Sequence, residues 1–234
     1  MDLNRRTGLT TGVLFITATV ASLAGTAIEQ PVLQGTNHLT RISGNANLVS
    51  AGALLEFIAA GTSVGIAISL YPVLRSWSSS LALGSVVFRT IEAVMYTAGA
   101  VSLLSFLAVG QRFTNASIAD RPSIQVIGDS LLSARQEFIL AGVFAFSLGA
   151  LMYYYVFYQS RLIPRWLSVW GIAAVLGILV ACLSALFSGN SVTTYAILIL
   201  PIAVQEMVLA VWLIARGFSS SAVQRETASV ISAA

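Results

Sequence analysis

The sequence contains no lysine, one cysteine and one histidine. All of its basic side chains are arginine, and charged residues make up only 9% of the 234. A soluble domain carries about 25%. The single Cys182 excludes an intramolecular disulfide. The single His38 excludes bis-histidine haem, a histidine-rich zinc site and a Ser-His-Asp triad. Glycine-rich phosphate loops, paired Cys-x-x-Cys, His-Glu-x-x-His and Gly-x-Ser-x-Gly are missing as well. We therefore expect no cofactor and no metal. No polar stretch is long enough to hold a core of its own, so a separate soluble domain is not expected. The net charge of +3 is no nucleic-acid signal, because the arginines are scattered around the ends of apolar runs and form no stripe.

What fills the chain is apolar. Hydrophobic residues reach 57%, and the mean hydropathy is +0.87. A membrane-spanning helix needs about 20 apolar residues, and six such runs occur, at 8–28, 48–74, 81–109, 130–158, 166–187 and 192–215. The expectation is an all-α polytopic transmembrane bundle, one domain over residues 1–217, followed by a polar and disordered tail at 218–234. Segments 29–47 and 110–129 are expected to be loops. Asn4-Arg5-Arg6 before an apolar run resembles a leader, but five further runs favour a retained first helix. Orientation follows from arginine. Arg5, Arg6, Arg75, Arg161, Arg165, Arg216 and Arg225 fall on one side, against Arg41, Arg112 and Arg121 on the other. The positive-inside rule then puts both termini in the cytoplasm. The expected location is the bacterial cytoplasmic membrane.

Ionisable residues interrupt the apolar runs. A charge at the bilayer centre costs about 2.5–3.5 kcal/mol on insertion scales, so such residues are paired or line polar space. The third run carries Ser85, Arg89, Glu92, Tyr96, Gly99 and Ser102 at spacings of three and four, on one helical face. Arg89 and Glu92 are spaced to meet as an i,i+3 pair. Other runs offer Glu56, then Arg135 with Glu137, then Gln205 and Glu206 after Pro201. A proline there frees a carbonyl of the preceding turn, which could join a polar cavity. Glu56, Glu92, Glu137 and Glu206 stand against Arg89 and Arg135, leaving −2 if all are ionised. A low-dielectric interior resists that imbalance, so a carboxylate there is expected to hold a proton, or a cation to sit nearby. The pairs Gly8 and Gly12, and Gly61 and Gly65, have the spacing of close helix packing.

Four ordered segments carry a resemblance. They are Leu70-Tyr71-Pro72-Val73-Leu74-Arg75, Phe88-Arg89-Thr90-Ile91-Glu92-Ala93, Ser160-Arg161-Leu162-Ile163-Pro164-Arg165-Trp166-Leu167, and Gln205-Glu206 leading to Val211-Trp212-Leu213-Ile214-Ala215-Arg216-Gly217. Together they resemble the bacterial membrane family called domain of unknown function 4386. The resemblance implies a multi-span membrane protein of this length and places Arg89, Glu92 and Glu206 in the family pattern. Where members tend to have Gly-Glu, this chain has Gln205-Glu206. The resemblance implies no activity.

Two function classes follow. One is a membrane module that binds a small or lipophilic ligand, moves protons or regulates a partner. The other is an intramembrane enzyme using a protonated glutamate on a lipid or isoprenoid, with Arg89 holding a carboxylate or phosphate. The missing nucleophile–base pair and metal set favour the first. The bilayer is the one partner expected with either.

Overall fold

The computed structural model describes residues 3–35 and 37–219. Residues 220–234, including Arg225 and most of the expected tail, lie outside the described residues. Seven α-helices follow in order: α1 (Leu3–Leu33), α2 (His38–Gly44), α3 (Ala46–Leu74), α4 (Ser79–Asn115), α5 (Arg121–Ser160), α6 (Arg165–Ser188) and α7 (Ala196–Arg216). A 3₁₀ turn, Val192–Tyr195, leads into α7, and no strand occurs among the described residues. All but α2 are long and apolar enough to cross a membrane, counting α7 with its leading turn. The all-α multi-span expectation holds, with one helix more than the six apolar runs.

The long helices alternate in direction. Contacts between Leu14 and Gly65 and between Gly25 and Gly52 run α1 antiparallel to α3. Phe88 meets Gly149 and Tyr96 meets Gly142, which runs α4 antiparallel to α5. Glycines set several of these distances. A methyl at Gly12 would lie 2.7 Å from Ile214 and 2.8 Å from the Ala210 carbonyl, so only glycine lets α1 approach α7 there. Gly8 is also tight, with a methyl there 3.2 Å from the Leu213 carbonyl; of the second glycine pair, Gly61 faces open space and only Gly65 meets a neighbouring helix, at Leu14. Outside the core, Leu23, Leu54, Ile68, Val94 and Leu186 are exposed, as a lipid-facing surface requires.

Two expected loops are shorter than predicted. The 110–129 segment is mostly helix: α4 runs to Asn115 and α5 starts at Arg121. α4 has 37 residues and α5 has 40, about 55 and 60 Å at 1.5 Å per residue. A hydrocarbon core is about 30 Å thick, so both helices project well beyond it. Polarity at Gln111 and Arg112 marks where an apolar surface ends, not where the helix ends. Similarly, α1 continues past the expected end of the first run to Leu33. Ala21, Gly25, Glu29 and Val32 are all buried, four, four and three residues apart, so its packed face simply continues. The short α2 closes this end of the bundle, with Leu39 and Ile42 packed beside Phe106 and Leu107.

At the opposite end the chain does not become a free tail at residue 218. Phe218 is buried against Phe157, with ring centroids 5.9 Å apart. The Ser219 amide donates to the Leu162 carbonyl at 3.0 Å.

Candidate functional site

The buried charges form two centres, each one arginine with two glutamates. The first is built on Arg135 of α5, which is 5% exposed. Its Nη1 donates to Glu56 Oε2 of α3 at 2.9 Å and to the Gly99 carbonyl of α4 at 2.9 Å. Its Nη2 donates to Glu56 Oε1 at 2.6 Å and to Glu29 Oε2 of α1 at 2.5 Å. Four helices therefore meet on one guanidinium, and Glu56 is held by both prongs of the fork, the strong form of this contact. Gly52 makes room for Glu29: a methyl there would lie 2.5 Å from Glu29 Oε1. That oxygen is buried without a hydrogen-bond partner.

The second centre lies about 10 Å further along α4, since Glu92 and Gly99 are seven residues apart. Arg89 Nη1 lies 3.0 Å from Glu92 Oε2, and both side chains are almost fully buried. Ser63 of α3 donates to Glu92 at 2.9 Å. The Arg89 guanidinium sits over the Phe146 ring of α5, 4.9 Å from its centroid. Glu206 of α7 belongs to the same buried group, near enough to Arg89 to feel its charge but without an ion pair to it among the described residues. Its one hydrogen bond, from Thr19 of α1, is long at 3.3 Å. Around this centre Arg89 Nε and Nη1, Ser85 Oγ and Glu206 Oε1 are buried without a hydrogen-bond partner. Nη1 is close to Glu92 but not aligned with it. Buried polar atoms of this kind are rare, and each costs about 1–3 kcal/mol unless something satisfies it.

The predicted residues separate cleanly. Arg89, Glu92 and Glu206 come together, as do Arg135 and Glu56. Tyr96 is half-buried beside the second centre, its ring seated on Gly142. Gln205 is fully buried but satisfied elsewhere. It accepts from Tyr154 at 2.5 Å and donates to the Leu167 carbonyl at 3.1 Å, tying α5, α6 and α7 together. Glu137 is exposed and belongs to neither centre. Two residues along a helix is a rotation of about 200°, so Glu137 points away when Arg135 points in. Pro201 lies on the exposed side of α7. Glu29 takes the place expected of Glu137, so the ratio of four acids to two bases survives with a different member. The signal for Glu29 was its spacing from Ala21 and Gly25.

Glu29 and Glu56 share their arginine with no other cation, and no three His, Cys, Asp or Glu side chains gather as a metal site would need among the described residues. No curated protein and no solved structure is detectably similar to this chain. A family model, domain of unknown function (DUF4386), matches residues 10–217. That span begins in α1 and ends just past α7, taking in every residue of both centres. The chain is a member of the DUF4386 family.

Proposed function

We propose that this protein is a proton-linked polar module of the bacterial cytoplasmic membrane, with both termini in the cytoplasm. The observation that carries the reading is the buried set of unmatched atoms around Arg89. Its guanidinium has N–H groups without acceptors, and Glu206 has an oxygen without a donor. Each centre would carry −1 with both carboxylates ionised, a charge that a low-dielectric interior does not sustain. One proton per centre balances it. In the second centre that proton belongs on Glu206, because Glu92 has both Arg89 and Ser63 beside it and Glu206 has only the long Thr19 bond. The free N–H edge of Arg89 then suits a small hydrogen-bond acceptor, bound or released as the proton exchanges. Proton uptake and occupancy would be linked through one guanidinium.

Infrared spectra of the reconstituted protein test this. Wild type should show protonated-carboxyl absorption at neutral pH, and Glu206→Gln should remove the second centre's share of it and leave that of the first centre, while the variant folds nearly as well as wild type. Glu206→Ala should fold worse, since it loses hydrogen-bonding capacity and volume together. A spectrum at neutral pH with every carboxyl ionised would rule the reading out.

Orientation is tested separately. Reporter fusions after Arg75, Arg161 and Arg225 should read cytoplasmic, and fusions at residues 34–37 and 116–120 should read external. A periplasmic reading after Arg161 would reverse the assignment.

A further inference from the structure

Three arginines converge at the end of the bundle where α5, α6 and α7 meet. An open cleft of about 620 Å³ lies between them, lined by Arg161, Arg165 and Arg216 with Trp212, Leu162 and Phe218. We propose that this cleft binds a phosphate group, carried by an anionic lipid whose acyl-chain side lies against the apolar side chains of the cleft.

Two of the arginines are held against local preference. Arg161 has φ of 58°, the only non-glycine residue with positive φ among the described residues. Glycine or asparagine is the usual residue at such a helix end. Arg165 is the first residue of α6, where the positive end of the helix dipole disfavours a cation. Arg216 closes α7, where a cation is favoured. A role in helix-end electrostatics thus explains Arg216 and leaves Arg161 and Arg165 unexplained. A shared anion accounts for all three.

The guanidiniums are also positioned and available. Arg165 stacks on Tyr158 at 5.2 Å and Arg216 on Trp212 at 5.3 Å, contacts that use the face of a guanidinium and not its N–H edge. None of the three pairs with a carboxylate among the described residues. The chain that follows, 220–234, holds one arginine and one glutamic acid side chain, Arg225 and Glu226, which cancel. Arginine forks match phosphate oxygens in pairs. Trp212, Trp166 and Tyr158 are the side chains expected at headgroup depth, and Leu162 and Phe218 supply apolar side chains to the cleft. The volume falls within the range of about 300–1,000 Å³ typical of small-molecule sites.

The test uses full-length protein in a neutral detergent, with thermal unfolding followed as lipid is titrated in. Phosphatidylglycerol should raise the midpoint by several degrees and phosphatidylcholine should not. Arg161→Asn with Arg165→Gln should bind phosphatidylglycerol about tenfold more weakly or worse, as loss of two cation contacts implies. Asparagine is chosen at 161 because it tolerates the left-handed conformation. Arg216→Gln supplies the same comparison if the double variant yields too little folded protein. Arg121→Gln, at the opposite end, should respond like wild type. Inorganic phosphate alone reproducing the full shift would support the phosphate site and assign it to soluble phosphate compounds. Equal responses to the two lipids without any response to phosphate, or an unchanged response in the cleft variants, would overturn the proposal.

Discussion

Arg135→Ala is expected to destroy the fold or lower its stability by about 3–5 kcal/mol, the cost of leaving buried charge without its partner. The total stability of a domain is only about 5–15 kcal/mol, so this loss is decisive. Arg135 supplies every donor of its centre: it serves Glu56 twice, Glu29 once and the Gly99 carbonyl once. Without it, two carboxylates from α1 and α3 face each other. The remedy follows from the same reasoning. Arg135→Met combined with Glu29→Gln and Glu56→Gln removes all three charges while keeping most of the volume, and should recover most of the folded yield. Size-exclusion profiles and thermal midpoints in one detergent make the comparison. A single Arg135→Ala variant as stable as wild type would mean that the four-helix junction contributes little.

The Arg89–Glu92 pair should behave differently from an exposed i,i+3 pair, which is worth about 0.2–0.5 kcal/mol. Both side chains are nearly fully buried. Arg89→Ala should therefore lower folded yield more than Arg89→Ala combined with Glu92→Ala, because the single change leaves Glu92 and Glu206 together without a cation. The coupling should fall at the upper end of the roughly 0.5–3 kcal/mol seen for interacting neighbours. Equal yields for the single and double variants would show that the pair is not coupled. That result would also weaken the case for Glu206 as the proton holder, whose assignment depends on Glu92 having first claim on Arg89.

Within one helix, local spacing carried real information. The face Ser85, Arg89, Glu92, Gly99 and Ser102 is buried, as its period required, and only Tyr96 is partly open. The i,i+3 pair forms for the same reason: two residues on one turn need no other element to meet. The six apolar runs were equally legible, because a bilayer-spanning surface demands length and apolarity that no other setting needs. Helix ends were less so, because projecting helices turn polar before they stop, as α4 does at Gln111.

Across helices, spacing falls silent. Arg135 meets Glu56 and Glu29 over 79 and 106 residues of chain; the two-residue spacing sets Glu137 aside, but nothing in the sequence names Glu29 as the partner that takes its place. The choice is made by rotation: α5 turns Arg135 inward and Glu137 outward, while Gly52 opens the space that Glu29 fills. The same holds at the arginine cleft. As sequence, Arg161, Arg165 and Arg216 report only which side of the membrane a loop occupies. As structure, the left-handed turn at Arg161 and the return of Phe218 onto Phe157 bring them around one opening. The sequence by itself determined that the chain forms apolar spanning helices and that charge is buried among them, because transfer cost and helical period are local properties. Which charge meets which was decided only by tertiary packing, because partners on different helices are selected by helix rotation and by the small residues that let backbones approach.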